Sequence, residues 1–514
     1  MIKLIYIENI PFIGNETDLI PIPTYCKINA FPFEEVCIID NIVKTTSKEP
    51  YNKKIVGILE VNSTISYNGK RKFFPYDKNF PMMHVMTKKK FQTINMYVIV
   101  KFTEWNNNIP IGYVEQYIGN IGSFDNDIKY LTNVCDHDWN FKYNISKEPI
   151  YNNIFEIVDK FVISIDNEDT KDIDDAIHLS KKDNLYELGI HISDVNSYIT
   201  TDIDDELIKR IETIYIENPK HMLGTEYSLI KDNIKNCISV LIYYNENGIE
   251  RYEIKKTKVK ISENTTYENF MTKLDDPKYN DIYEFGKKLS GYDKNYNIHK
   301  MIEIFMKIAN SIVANELKKK KIGIFRTNPL ELTNIKNDVP TNVIQKSQII
   351  KMKRGNYSCI PSDYTHFSSP IRRYIDIIVH RLLFDSCNLS ISKIMEIINI
   401  TNYKHTLYRK CQREYQLLKI LYNLPPKDLY EFDAYVIDIE FNQIIIYIEE
   451  LDIITYYEIV SKKIIENIYM EYTKNEIIYD DLDGEHKISL FDKIKIQLIV
   501  LLKTNERYKI KIIF

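Results

Sequence analysis

Six carboxylates stand within ten residues of the stretch "SIDNEDTKDIDDAIH", Ser164 to His178: Asp166, Glu168, Asp169, Asp172, Asp174 and Asp175. Apolar runs, "FVISI" and "AIHL", press on both sides. Two carboxylates about 4 Å apart repel by roughly 4 kcal/mol at an effective dielectric of about 20. Acids packed between hydrophobic strands therefore need a cation, a proton or open water. An EF-hand calcium loop would want Gly at its sixth position and Glu at its twelfth, where this sequence has Lys171 and Ile177. A solvated acidic loop is the plain alternative, and the flanking apolar runs speak against it.

A basic focus lies further along. In "SSPIRRYIDIIVHRLL", Ser369 suits a helix N-cap and Pro370 the first helical position, with Ile371, Tyr374, Ile375, Ile378, Val379, Leu382 and Leu383 spaced as a buried face. Arg372 and Arg373 would then occupy a first turn whose macrodipole is already positive, where acids are preferred. A helix N-terminus carrying two guanidiniums is a phosphate site in kind, unless the arginines pair with local acids. From Gln345 to Arg381 the basic residues Lys346, Lys351, Lys353, Arg354, Arg372, Arg373 and Arg381 meet only Asp363 and Asp376. An acidic and a basic focus in one domain suit a site that binds metal on one side and phosphate on the other.

The elements that must hold these residues can be read from hydrophobic periodicity. "KMIEIFMKIANSIVANELKKKK" is helical, with Ile302, Phe305, Met306, Ala309, Ile312, Val313 and Leu317 on one face and Glu303, Lys307 and Asn310 on a polar stripe. Residues 50–128 read as short strands with an Asn-Gly turn at Tyr67 to Gly69, which suggests a small barrel or sandwich. The last 85 or so residues alternate with period two, Ile494, Ile496, Leu498 and Val500, then Tyr508, Ile510 and Ile512, which suggests a second small barrel.

Bulk properties set the frame. With 514 residues and 44% hydrophobic content the chain has room for three or four domains with ordinary cores. Seven scattered cysteines without a Cys-x-x-Cys pair suggest neither a disulfide framework nor a zinc knuckle. No apolar run approaches membrane-spanning length, and Glu8, Asn9 and Pro11 break the N-terminal stretch, so neither a membrane span nor a signal peptide is expected. The expected location is the cytoplasm, with the nucleus left open. A net charge of −4 gives no global case for a polyanion partner, so local charge must supply it. The 39 tyrosines devalue any single tyrosine as a signal.

The spacing Asp166, Asp172, Asp174, Asp175 followed by "AIHLSKKDNLYELGIHISDVNSYI" resembles the first signature of the ribonuclease II and ribonuclease R (RNB-domain) exoribonucleases, a family that includes the catalytic exosome subunit of eukaryotes. "YTHFSSPIRRYIDIIVHR", Tyr364 to Arg381, resembles the second. The resemblance covers most of the chain. It implies an α+β multidomain protein, with small cold-shock/OB β-barrels flanking a central α+β RNB catalytic domain. Residues 50–128 are similar to the family's second cold-shock domain, 150–425 to its catalytic domain, and 428–514 to its S1-type OB-fold domain. Residues 1–49 are the candidate for a reduced N-terminal cold-shock domain, without a firm motif.

The resemblance further implies processive hydrolysis of single-stranded RNA from its 3′ end to nucleoside 5′-monophosphates, with one or two Mg²⁺ ions and Mn²⁺ as a substitute. Carried over by position, Asp166, Asp172 and Asp175 would hold metal, Asp174 would be the acid whose loss is most damaging, and Arg372 would hold the scissile phosphate. Tyr215, Tyr267, Glu303, Asn310 and Arg373 would meet substrate. The expected partner is the 3′ end of single-stranded RNA, with no membrane, a monomeric state, and protein partners left open. Ile304 replaces the second acid of the family's Glu pair, Arg326 to Asn328 reads "RTN" in place of Arg-Val-His, and the segment after Tyr215 lacks the family's Leu-Pro. None of these departures touches the four aspartates or Arg372. The rival readings are an inactive RNA-binding relative of the same fold and a metal-dependent DNA nuclease; the DNA nuclease gives no reason for RNA-type barrels.

Overall fold

The computed structural model describes residues 3–7, 10–14, 19–47, 51, 53–67, 69–135, 155–182, 184–200, 203–294, 296–327, 339–340, 342–344, 346–347, 355–385, 389–425, 429–440, 443–458, 470–472, 476–481 and 484–513. The chain divides into two compact units: residues 137–327 with 356–405, and residues 1–136 with 328–355 and 406–514.

The first unit is built on a seven-stranded sheet. From edge to edge it runs Glu156–Val158, Gly248–Lys260, Ile234–Asn245, Leu185–Ser193, Asp175–Lys182, Ile163–Asp166 and Glu263–Thr266. The pairs at the two edges are parallel and the rest antiparallel. Alternation sorts the two faces. Ile163, Ile165, Ile177, Leu188, Ile190, Ile192, Ile238, Val240 and Ile242 belong to one large core, which they share with the helices Pro277–Leu289, Ile298–Lys320 and Tyr374–Leu383. The other face carries a smaller apolar cluster around Val162, Ala176, Cys237 and Val259. Beside it runs a buried polar chain in which His178 bonds His191 (2.8 Å), His191 bonds Ser239 (2.6 Å) and Ser239 bonds Thr257 (2.6 Å). Gly189 makes room for it, since a Cβ there would lie 2.1 Å from the His178 ring.

The second unit contains the five-stranded closed barrel of Ile55–Leu59, Lys70–Pro75, Met83–Met86, Met96–Asn106 and Ile109–Asn120. Its first hairpin closes through reciprocal backbone bonds between Tyr67 and Lys70, with Gly69 at φ +78° as the turn requires. Residues 3–45 form two three-stranded sheets around Leu4, Ile22, Ala30, Val36 and Val43. The C-terminal strands form a five-stranded sheet, in the order Ile453–Glu458, Gln443–Ile448, Leu429–Glu440, Lys493–Leu501, Arg507–Ile513, and a separate three-stranded one. Among the described residues the strands of this region pair as two separate sheets.

Two sequence expectations need correction. The helix expected from Ser369 begins at Tyr374, with Arg373 in the capping position. Apart from the bond of Arg373 N–H to the Ser369 carbonyl (3.0 Å), residues 369–373 spend their backbone groups elsewhere. Ser369 N–H goes to Asp376, Ile371 N–H to Asp174 and Tyr374 N–H to the Ile211 carbonyl, while the Arg372 carbonyl accepts from Thr213. These tertiary partners outcompete the helical ladder. The basic stretch is also not one patch. Lys346 pairs with Asp452 in the barrel unit (2.5 Å), Arg381 is buried against Asp204 (2.6 Å) and Arg373 is turned inward onto Asp376 (2.9 Å). Lys351, Lys353 and Arg354 lie outside the described residues.

Candidate active site

Asp166 ends one strand and Asp175 begins the next, so the antiparallel pairing of those strands through Ile163 and Ile177 returns the intervening loop to its starting point. Ser228 holds that loop. Its hydroxyl accepts from Ile173 N–H (3.1 Å) and donates to the Lys171 carbonyl (2.7 Å). The six acids are thereby sorted: Glu168 and Asp169 are exposed, Asp172 and Asp174 buried, and Asp166 and Asp175 half-buried.

Asp174 is the most enclosed of the set, 4% exposed. Its Oδ1 accepts Ile371 N–H at 2.8 Å, and Arg372 Nε stands 3.3 Å from Oδ2. The two signature stretches meet at this carboxylate. Arg372 also donates from Nη2 to Ser369 Oγ (2.8 Å), and its side chain remains 41% exposed. Burial pushes the carboxyl of Asp174 well above the usual range, against the pull of Arg372. Burial raises Asp166 to about 6 and Asp175 to about 7, the charge of Asp166 adding to the effect on Asp175. Burial also works to raise Asp172, but His221 and Arg372 outweigh it and its pKa falls.

The remaining candidates divide. Tyr215, 42% exposed, donates to Asp172 Oδ2 at 3.3 Å. Tyr267 packs on the His299 ring at 3.9 Å; burial, with added charge from Asp166 and Asp175, takes its phenol to about 12. Both tyrosines thus reach the acid cluster. Glu303 does not join it: its described partners are Lys300 and Lys307 on its own helix, and Ile304 packs toward the core. Asn310 is enclosed, 2% exposed. It accepts Phe367 N–H (3.1 Å) and donates to Tyr364 OH (2.9 Å), so it fastens a loop and presents no open face to substrate. Arg373 is likewise spent on Asp376.

Three residues that the sequence reading missed belong here. Ser228 carries no motif. His299 lies in the first turn of the helix Ile298–Lys320. His221 Nδ1 lies 3.7 Å from Asp172, brought there by the reciprocal backbone bonds of Ile214 and Lys220 that fold Tyr215 and His221 together. The departure from the family after Tyr215 was the one available signal for His221.

A hard divalent cation suits these donors. They are carboxylate oxygens, and Asp166 Oδ2 and Asp174 Oδ2 are buried without a hydrogen-bond partner. Among the described residues, no three of the Asp, Glu, His or Cys side chains already converge as a metal site.

Residues 155–284 and 332–387 match the RNB domain model. The chain carries an RNB domain. Residues 70–136 match the Dis3-like cold-shock domain 2, so an RNB domain and an OB-type barrel occur in one α+β multidomain chain. The human exosome complex exonuclease RRP44 is 21% identical over 92% of this chain and 62% of its own length. Ribonuclease R of Mycoplasmopsis pulmonis is 26% identical over 70% of this chain and 63% of its own. The chain thus spans less than two thirds of the length of these curated relatives. In structure, the RNB-domain chain is similar to Mycoplasma genitalium RNase R in complex with ribose-methylated single-stranded RNA (TM-score 0.68, 16% identity, all of both chains covered). It is also similar to yeast Ssd1, a pseudonuclease (TM-score 0.67, 14% identity, 91% and 84% covered). The fold is shared by a ribonuclease and a pseudonuclease, so activity has to be argued from the residues of this RNB domain. No helix among the described residues is long and apolar enough to cross a membrane.

Proposed function

We propose that the chain is a metal-dependent exoribonuclease that hydrolyses single-stranded RNA processively from the 3′ end to nucleoside 5′-monophosphates. The observation that carries this reading is Asp174. It is a buried carboxylate with one oxygen anchored by Ile371 N–H and the other unpartnered beside the half-open guanidinium of Arg372.

In this reading Asp166, Asp172 and Asp175 hold Mg²⁺, or Mn²⁺ in its place, which supplies Lewis-acid charge at the scissile phosphate and a more acidic bound water. Arg372, its side chain 41% exposed, reaches a phosphate oxygen with the guanidinium donors that Ser369 does not take and adds charge where negative charge develops. Asp174 keeps Arg372 oriented through its Nε. Tyr215 and Tyr267, lying over the cluster, pack against the terminal nucleotides. The substrate is RNA because the chain's relatives are exoribonucleases and its cold-shock barrel is of the type that tracks single strands.

The second reading, an inactive RNA-binding relative, is favoured by one observation, the structural likeness to a pseudonuclease. A single assay separates the two. Incubation of 5′-labelled single-stranded RNA with the chain in Mg²⁺ gives progressive 3′ shortening that chelation stops, and the same sequence as DNA stays intact. Labelled RNA that is bound yet uncut in Mg²⁺ and in Mn²⁺ decides for the inactive relative.

A further inference from the structure

Arg372 is useful only if its guanidinium points at the phosphate, and nothing in its own four-bond side chain fixes that direction. The surrounding contacts do. Asp376, 0% exposed, accepts Ser369 N–H through Oδ1 at 2.7 Å and Arg373 Nη2 through the same oxygen at 2.9 Å. One turn along the helix, His380 bonds the Phe367 carbonyl through Nε2 at 2.8 Å; burial lowers its pKa, so it is the neutral ring that donates. From the helix Ile298–Lys320, Asn310 takes Phe367 N–H. Both polar groups of the Phe367 backbone and the amide of Ser369 are thereby fixed by buried side chains. Ser369, 3% exposed, has one free arm, its hydroxyl, and that hydroxyl accepts Arg372 Nη2 at 2.8 Å.

We propose that Ser369 is a positioning residue for Arg372. Asp376 fixes Ser369, the Ser369 Oγ hydrogen bond fixes one Nη of the guanidinium, and the charge of Asp174, 3.3 Å from Nε without a hydrogen bond to it, attracts that side, so the remaining donors are aimed outward as a pre-oriented fork. This rests on the proposed role of Arg372 and adds what sets its direction. Two points of attachment on one guanidinium leave little rotational freedom, which is the entropy a flexible arginine would otherwise lose in each turnover.

Ser369→Ala removes the hydroxyl and leaves the Ser369 amide, Asp376, Asp174 and Arg372 in place. The expected result with single-stranded RNA is a fall in kcat of about tenfold, the usual cost of one hydrogen bond to a charged group, with KM for long RNA unchanged. Ser369→Thr, which keeps the hydroxyl, restores kcat. In the Arg372→Ala background the same Ser369→Ala change has no further effect, because a positioning residue has nothing left to position. Equal losses of kcat in the two backgrounds, or a loss that Thr does not recover while the melting temperature falls, overturn the proposal. Calorimetric titration of adenosine 5′-monophosphate, a ligand with a single phosphate, gives a readout separate from turnover. Weaker binding in Ser369→Ala, no larger than in Arg372→Ala and with no further weakening in the double variant, supports the positioning role even in a chain that cuts no RNA. A wild-type chain that cuts RNA but whose kcat and nucleotide affinity ignore Ser369→Ala upholds the function and sinks this inference. A chain that neither cuts RNA nor binds the nucleotide through Arg372 sinks both.

Discussion

Two of the aspartate–arginine pairs among the described residues, Asp127–Arg507 and Asp174–Arg372, are finished to different degrees. In the barrel unit Asp127 sits fully enclosed on the helix Phe124–Val134. Its Oδ1 accepts Tyr97 OH and Arg507 Nη2, each at 2.5 Å, and its Oδ2 accepts Tyr422 OH at 2.6 Å. Arg507 in turn donates to the carbonyls of Leu502 and Thr504. Burial pushes Asp127 up to about 7, against the hydrogen bond from Tyr422, and Arg507 down to about 9. In the RNB domain, Asp174 has one oxygen satisfied, the other open, and an arginine that is half in solvent. The same two residue types therefore make a closed joint in one place and a site with spare capacity in the other. What separates them is the number of donors the fold brings to the carboxylate.

That difference can be broken from either side. Asp174→Asn is expected to lose a thousandfold or more in the rate of RNA trimming, because an uncharged amide leaves transition-state charge poorly stabilised. Its melting temperature should hold or rise, since a repelling charge is removed, and single-stranded RNA should bind as tightly as before. Trimming at near wild-type rate on 5′-labelled RNA would refute the assignment. Arg507→Ala should do the reverse. It leaves Asp127 buried and uncompensated at a cost of about 3–5 kcal/mol, visible as a lower denaturation midpoint of the barrel unit, while the site chemistry stays intact. An unchanged midpoint would mean that the joint is not structural.

Acid should separate the two units more gently. In the RNB-domain unit, burial lowers the pKa of His191, His366 and His380, with nearby arginines adding to the effect at His366. These rings stay neutral in the folded state but take up protons when unfolded. The stability they allow is thus complete above about pH 6.5 and is lost as the pH falls below it, by at most about 4 kcal/mol per pH unit if all three act together, a loss partly offset as Asp175 and Asp166 take up protons in the folded state near pH 7 and 6. Amide exchange within residues 234–260 should accelerate between pH 7 and 5.5 before exchange within residues 96–120. Simultaneous acceleration would contradict this. The smallest effect is expected at Asp169→Asn, an exposed acid outside the cluster. It should change trimming less than about twofold, in keeping with ordinary surface substitutions, and a dead variant would show that the sorting of the six acids is wrong.

Much of this was legible in the chain itself. The four aspartates are spaced by a loop that joins two adjacent strands, and that loop is local, so sequence spacing translates directly into proximity. The barrel hairpin at Gly69 and the helix Ile298–Lys320 follow from turn chemistry and hydrophobic period, which also act over a few residues. The helix after Ser369 was misread because its cap was judged from Ser-Pro alone, whereas Asp174, Ile211 and Thr213 claim the backbone groups that helix would need.

The sequence by itself determined which residue types were available: a carboxylate set too dense to bury without a counter-charge, and arginines too many for their neighbours. Only the tertiary structure decided their roles. It turned Arg373 onto Asp376 and left Arg372 open, enclosed Asn310 as a loop fastener, and folded His221 against Asp172. It gave Asp127 three donors and Asp174 one backbone amide. The physical reason is that a buried charge takes its function from which donors surround it, and most of those donors are distant in sequence, so neither local propensity nor periodicity carries their identity.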